Sequence, residues 1–180
     1  MSKNPEHRER LRKLLIEKAV RFGDFTLSSG RKSTHYIDCK QVTLDAEGAF
    51  LTACVVLDHL AGVEFEALGG PSLGADPIVG AAAAESFRRG QPIAAFIVRK
   101  EPKKHGTARF IEGILPPNSQ VVLIDDVVTS GGSLIKAARV VEEMGCRVVK
   151  LIAIVDRMEE KLPEMGGYDF DPIFTLTDLM

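Results

Sequence analysis

Cysteine is scarce in this chain of 180 residues: Cys39, Cys54 and Cys146 stand far apart and form no Cys-x-x-Cys. That leaves neither a disulfide framework nor a zinc signature, and the odd count suits a reducing compartment. Long apolar runs are missing too. The longest near the N-terminus is Leu14-Leu15-Ile16, too short for a secretory leader, and nothing approaches the roughly 18 apolar residues of a membrane span. A soluble, cytoplasmic protein with no membrane partner is expected. Nor is there an excess of positive charge: 23 Lys+Arg against 25 Asp+Glu give a net charge of −2. The basic footprint of a nucleic-acid binder is absent, so no nucleic-acid partner is expected. Neither G-x-G-x-x-G nor a glycine loop ending in Gly-Lys-Ser/Thr occurs, which excludes the usual dinucleotide and nucleoside-triphosphate loops. Repeats and low-complexity tracts are also lacking.

What remains is an ordinary globular composition, 45% hydrophobic and 27% charged, at a length suited to one domain. Asn4-Pro5-Glu6 reads as a helix start, followed by Leu11, Leu14, Leu15, Ala19 and Phe22 at helical spacing. Phe25-Thr26-Leu27 and His35-Tyr36-Ile37 are short β-prone runs around a polar tip, a hairpin pattern. Asp45 is placed to cap a helix with an apolar face of Ala49, Ala53, Val56, Leu57 and Leu60. A strand over Phe65–Leu68 leads into Gly69-Gly70-Pro71-Ser72-Leu73-Gly74, and Asp76-Pro77 reads as the cap and first-turn proline of a helix to Arg89. The apolar runs Ile93–Val98, Val121–Ile124 and Leu151–Val155 suit strands buried on both faces, with a helix over Ser133–Met144 stopped by Gly145. Alternating strands and helices imply an α/β fold, a mainly parallel sheet flanked by helices. Ligands of such sheets bind beyond the carboxyl ends of the strands, so the loops after Leu68, Val98, Ile124 and Val155 are where function belongs.

The most informative string is Val121-Val122-Leu123-Ile124-Asp125-Asp126-Val127-Val128-Thr129-Ser130-Gly131-Gly132-Ser133. A strand ends in two carboxylates, and a Thr/Ser/Gly turn opens into a helix. Unpaired N–H groups at the positive end of that helix make a phosphate cradle, to which the hydroxyls of Thr129, Ser130 and Ser133 add donors. Two carboxylates beside an anion would repel it unless they face something else, such as sugar hydroxyls or a metal. Phosphate and polyol in one loop point to a sugar phosphate. A second cluster, Arg99-Lys100-Glu101-Pro102-Lys103-Lys104-His105-Gly106, follows the strand ending at Val98. Beside a phosphate cradle its cations suit a departing polyphosphate, whose charge develops as the bond breaks. His35 and Cys39, four apart, could share a strand face, but no further ligand completes a metal site.

The acidic string resembles the loop of phosphoribosyltransferases that use 5-phosphoribosyl 1-pyrophosphate (PRPP). Phe25-Thr26-Leu27-Ser28-Ser29-Gly30-Arg31-Lys32-Ser33 and Arg99-Lys100-x-x-Lys103-x-His105-Gly106 resemble, more narrowly, the hairpin and catalytic loop of the orotate phosphoribosyltransferases. The resemblance covers roughly Phe22 to Arg157. It implies a PRPP-binding fold with a small hood over residues 1–44 and an α/β core over 45–180. The implied reaction is Mg²⁺-dependent transfer of phosphoribose from PRPP to orotate, giving orotidine 5′-monophosphate and pyrophosphate in pyrimidine synthesis. The metal would be held mainly by PRPP, pyrophosphate and water. Carried over by position, Lys103 and His105 stabilise the leaving pyrophosphate and Arg99 and Lys100 bind it. Asp125 and Asp126 hold the ribose hydroxyls. Val127, Val128, Thr129, Ser130, Gly131, Gly132 and Ser133 hold the phosphate. Thr129, Tyr36 and Arg157 face orotate, whose carboxylate suits a planar guanidinium. The family's loop reaches across a homodimer, so shared active sites are implied. Many members carry Lys at the position of Ser28, and Lys32 stands four residues on; Ser72-Leu73 replaces a more polar pair, leaving that turn to bind through its backbone. The alternatives are a phosphoribosyltransferase for another base, such as a purine, and a non-catalytic PRPP-binding regulator.

Overall fold

The computed structural model describes residues 4–26, 32–101, 110–157 and 163–180. Helix α1 spans Pro5–Leu14, started by the Asn4 side chain, which accepts from the N–H groups of Glu6 and His7 at 3.0 and 3.4 Å. A π-helical turn over Leu15–Ala19 continues it and buries Leu15 and Ala19 beside Leu11 and Leu14. Phe22 does not continue this stripe. The chain becomes extended at Val20, and β1 (Val20–Thr26) pairs antiparallel with β2 (Lys32–Ile37), opposing Phe22 to His35 and leaving Phe22 largely exposed. The β-prone Val20-Arg21-Phe22 gains a ladder there that a helix could not offer.

A four-residue helix α2 (Lys40–Thr43) leads to α3 (Ala46–His59), which Asp45 caps through the Gly48 N–H at 3.0 Å. Cys39 lies in the turn that starts α2, so it shares no strand face with His35. Helix α3 is buried over more of its surface than a five-residue stripe allows. Leu51, Cys54 and Val55 are buried while Ala49 and Leu57 are only half-buried, because α1 and α4 (Asp76–Arg88) both pack against it.

The main sheet contains β3 (Ala67–Pro71), β4 (Ala94–Val98), β5 (Ile111–Gly113), β6 (Gln120–Val128), β7 (Arg147–Asp156) and β8 (Phe174–Thr175) in the order β5-β4-β3-β6-β7-β8. Every neighbouring pair is parallel except β4 with β5. Alternate residues of β6 and β7 enter different cores. Val122, Ile124, Ile152 and Ile154 join the side of α1, α3 and α4, whereas Val121, Leu123, Leu151 and Ala153 face α5 (Gly132–Glu143). This two-sided burial is what their continuous apolar runs require. Strand β4 is less enclosed: Phe96 and Val98 are buried, but Ala94, Ala95 and Ile97 are half-buried beside the three-residue edge strand β5.

Two strands end later than their apolar runs. Strand β3 continues through Gly69, Gly70 and Pro71, which pair with Phe96, Ile97 and Val98 of β4; a Cβ on Gly69 would overlap the Phe96 ring and one on Gly70 the Ile124 carbonyl. Strand β6 continues through Asp125 and Asp126 to Val128, carrying the acidic pair within the sheet rather than in the turn beyond it. Asp76 is not the cap of α4. Ala75 takes that place and Asp76 sits half-buried in the first turn, where burial raises its carboxyl above its ordinary value.

Candidate active site

The site is built at the carboxyl ends of β3, β6 and β7. Asp125 and Asp126 lie near the carboxyl end of β6, and each carboxylate accepts from the next backbone N–H: Asp126 N to Asp125 Oδ1 and Val127 N to Asp126 Oδ1, both at 2.9 Å. Across from them Gly74 ends the turn after β3, so close that a Cβ there would overlap Oδ1 of both carboxylates. Glycine is therefore required by proximity. Burial pushes the Asp125 carboxyl well above the carboxylate range, and the neighbouring Asp126 adds to the shift. Asp126 is buried and has a cation: Lys40 Nζ donates to its Oδ2 at 2.7 Å. Burial alone would lower the Lys40 ammonium, but the hydrogen bond to Asp126 and the charges of Asp126 and Asp38 together outweigh it and hold the pKa above the usual lysine value.

Beyond β6 the chain turns through Thr129 and Ser130 to Gly131, whose φ of +79° is left-handed, and α5 begins at Gly132. Met165, buried in the turn over Pro163–Gly167, packs where a Gly131 side chain would stand. Asp125 and residues 127–134 enclose a polar cavity of about 140 Å³. Its floor includes the first turn of α5, where backbone N–H groups lack intrahelical carbonyls and the helix dipole is positive. Asp125 lines this cavity while Asp126 is held from the other side by Lys40. One loop thus offers an anion cradle and one carboxylate at its wall.

Arg157 follows β7 directly, is buried, and donates its backbone N–H to Val128 O at 2.8 Å, which brings it beside the loop. Arg99 and Lys100, at the end of β4, line a separate cavity of about 490 Å³ with Lys136, Arg139 and the loop residue Ser133. Arg99 also pairs with Glu112 at 3.2 Å. Tyr36 stands on the β1–β2 hairpin, 43% exposed, its ring 5.6 Å from that of Phe25. Lys103 and His105 lie outside the described residues, as does Ser28; Lys32 opens β2. The structure therefore brings together Asp125, Asp126, the 127–133 loop and Arg157, with Arg99 and Lys100 at the loop's far side and Tyr36 on the hairpin. Sequence reasoning missed Lys40 and the proximity role of Gly74. A lone lysine opening a four-residue helix carries no local signal, and its partner is 86 residues away. Among the described residues no three His, Cys, Asp or Glu side chains cluster as a metal cage.

A family model for the phosphoribosyl transferase domain matches residues 81–171. The chain is 50% identical to an orotate phosphoribosyltransferase of Thermosynechococcus vestitus over 96% of its own length and 92% of that protein, and 40% identical to one of Aquifex aeolicus over 96% and 97%. The chain belongs to the orotate phosphoribosyltransferases. Its fold agrees with that family's: a crystal structure of the Mycobacterium tuberculosis H37Rv orotate phosphoribosyltransferase in complex with PRPP superposes with a TM-score of 0.79 at 30% identity, covering 96% of this chain and 98% of that one. No helix among the described residues is long and apolar enough to cross a membrane.

Proposed function

We propose that this chain transfers phosphoribose from PRPP to orotate, forming orotidine 5′-monophosphate and pyrophosphate, and that it does so in the cytoplasm as a homodimer with shared active sites. The observation that carries the reading is the 140 Å³ cradle walled by Asp125 and residues 127–134, in a chain of this family. Residues 127–133 bind the 5-phosphate through backbone N–H groups and the hydroxyls of Thr129, Ser130 and Ser133. Asp125 and Asp126 accept from the ribose hydroxyls, and each carboxylate retains lone pairs beyond the bonds already made. Arg157 pairs with the orotate carboxylate, Thr129 touches the base and Tyr36 stacks on it. The residues suit a Mg²⁺ that arrives on its substrate: with no side-chain cage among the described residues and one carboxylate engaged by Lys40, diphosphate and water would hold it, with the few protein ligands typical of this ion. The chemistry such a metal would supply is neutralisation of charge on the leaving pyrophosphate.

No side-chain nucleophile is needed. An orotate ring nitrogen displaces pyrophosphate at the anomeric carbon through a transition state with oxocarbenium character, and the chain supplies position and charge. Arg99 and Lys100 bind pyrophosphate, and Lys103 and His105 stabilise it as it leaves. Lys103→Ala should then lower kcat far more than it weakens PRPP binding, a contact made mainly in the transition state; an unchanged kcat would remove that role. The base subsite is tested by Arg157→Ala. The expected result is an orotate KM raised at least about tenfold with the PRPP KM near wild type, in line with loss of a charge-assisted bidentate pair. An orotate KM equal to wild type would overturn carboxylate recognition at Arg157.

A further inference from the structure

A buried carboxylate beside a phosphate cradle poses an electrostatic problem, because its charge repels the anion that the cradle binds. The structure holds an answer in a different part of the chain. Lys40 opens α2, immediately after the hairpin, and its ammonium reaches 2.7 Å from Asp126 Oδ2. The root of Lys40 is held firmly. Asp38 accepts from the Lys40 N–H at 3.2 Å and from Gln41 Nε2 at 3.1 Å, the Asp38 N–H donates to Ala19 O at 3.0 Å, and Cys39 is fully buried. The other oxygen of Asp126 is held by the Val127 N–H, so both ends of its carboxylate are oriented before any ligand arrives.

We propose that Lys40 is a positioning residue for phosphoribosyl transfer: it locks the buried Asp126 carboxylate toward the ribose and offsets its charge beside the phosphate. The inference rests on the reading of Asp126 as a ribose-binding group. Lys40 does not line the phosphate cradle; it acts through Asp126. It also ties the segment carrying Tyr36 to the core strand carrying Asp126, so the base side and the ribose side of the site share one ion pair.

The test is a double-mutant cycle with Lys40→Met, Asp126→Asn and the two combined, plus Lys40→Arg, using full-length protein with Mg²⁺, PRPP and orotate. Lys40→Met should raise the PRPP KM and lower kcat, a combined loss in kcat/KM of about 10–100-fold as for other residues that orient a site group, with the orotate KM within about twofold of wild type. Lys40→Arg should restore most of it. In the Asp126→Asn background the same Lys40→Met change should cost about threefold or less, since its target is gone. Removing the cation that faces a buried carboxylate destabilises, so thermal unfolding is followed for each variant. Lys40→Met/Asp126→Asn, which leaves no lone buried charge, and Lys40→Arg keep the cycle interpretable if Lys40→Met unfolds. Full activity in folded Lys40→Met, an equal loss in both backgrounds, or a loss confined to the orotate KM would overturn the proposal. Wild-type protein that binds PRPP and releases no pyrophosphate with orotate would instead count against the functional reading itself.

Discussion

Glu85 in α4 accepts from Arg88 Nε and Arg89 Nε, each at 2.7 Å, and Arg89 in turn reaches Asp58 at 2.6 Å. Arg88 foremost, with Arg89, lowers the buried Glu85 carboxyl from its ordinary 4.5 to about 2. A depressed acid contributes stability that is complete above its unfolded value and lost as pH falls through the folded one. The window is therefore pH 4.5 down to about 2. The contribution is on the order of 1–3 kcal/mol once water around the exposed Arg88 is allowed for. Glu85→Gln should lower the thermal midpoint at pH 7 and flatten its decline below pH 4.5; an acid limb unchanged from wild type would contradict this. Asp125 has the opposite sign. Its folded pKa is raised by burial and then by Asp126, so the contribution to stability is present at low pH and lost as pH rises through the folded value. Asp125→Asn keeps the acceptor for the Asp126 N–H and removes the charge. It should raise the midpoint of the ligand-free protein at pH 8 by roughly 2–4 °C while abolishing activity. A lower midpoint would mean the charge is not a burden on the fold.

At the level of elements, the turn after β3 and the end of β6 meet across Gly74. Gly74→Ala places a methyl group against both carboxylates, and the atoms that must yield are those of the side chains assigned to the ribose. Activity should fall about 100-fold, the cost of small misplacement in a reacting complex, with little change in unfolding temperature. Near-wild-type kcat/KM in Gly74→Ala would show that the carboxylates need not stand where they do. This pairing was only half legible in the sequence. The string from Asp125 to Ser133 reads as strand, turn and helix because its chemistry is contiguous in the chain. The site partners that were missed, Gly74 and Lys40, come from other segments, and only the folded sheet brings them to the acidic pair. Element ends were obscured for a related reason: Gly69, Gly70, Asp125 and Asp126 have low strand propensity, yet neighbouring strands pair with them on demand. Phe22 shows the converse, an apolar residue in helical register that pairing with His35 pulled into a strand.

On the scale of the whole molecule, the α/β class and parallel sheet followed from alternating apolar runs, and the two-sided burial of β6 and β7 is what those runs imply. The edge strands β5 and β8, three and two residues long, are too short to leave a pattern. Near the N-terminus Arg8 donates to Ile173 O at 2.6 Å and lies 4.4 Å over the Phe174 ring, joining α1 to the last strand. The segment after the hairpin and the core sheet are joined at Lys40 and Asp126. The proposed transfer of phosphoribose to orotate is tested most directly by following pyrophosphate release from PRPP and Mg²⁺ with orotate, uracil, hypoxanthine and adenine offered in parallel. The account predicts release with orotate alone. Release with another base in place of orotate, or none with any base while PRPP still binds, would contradict it.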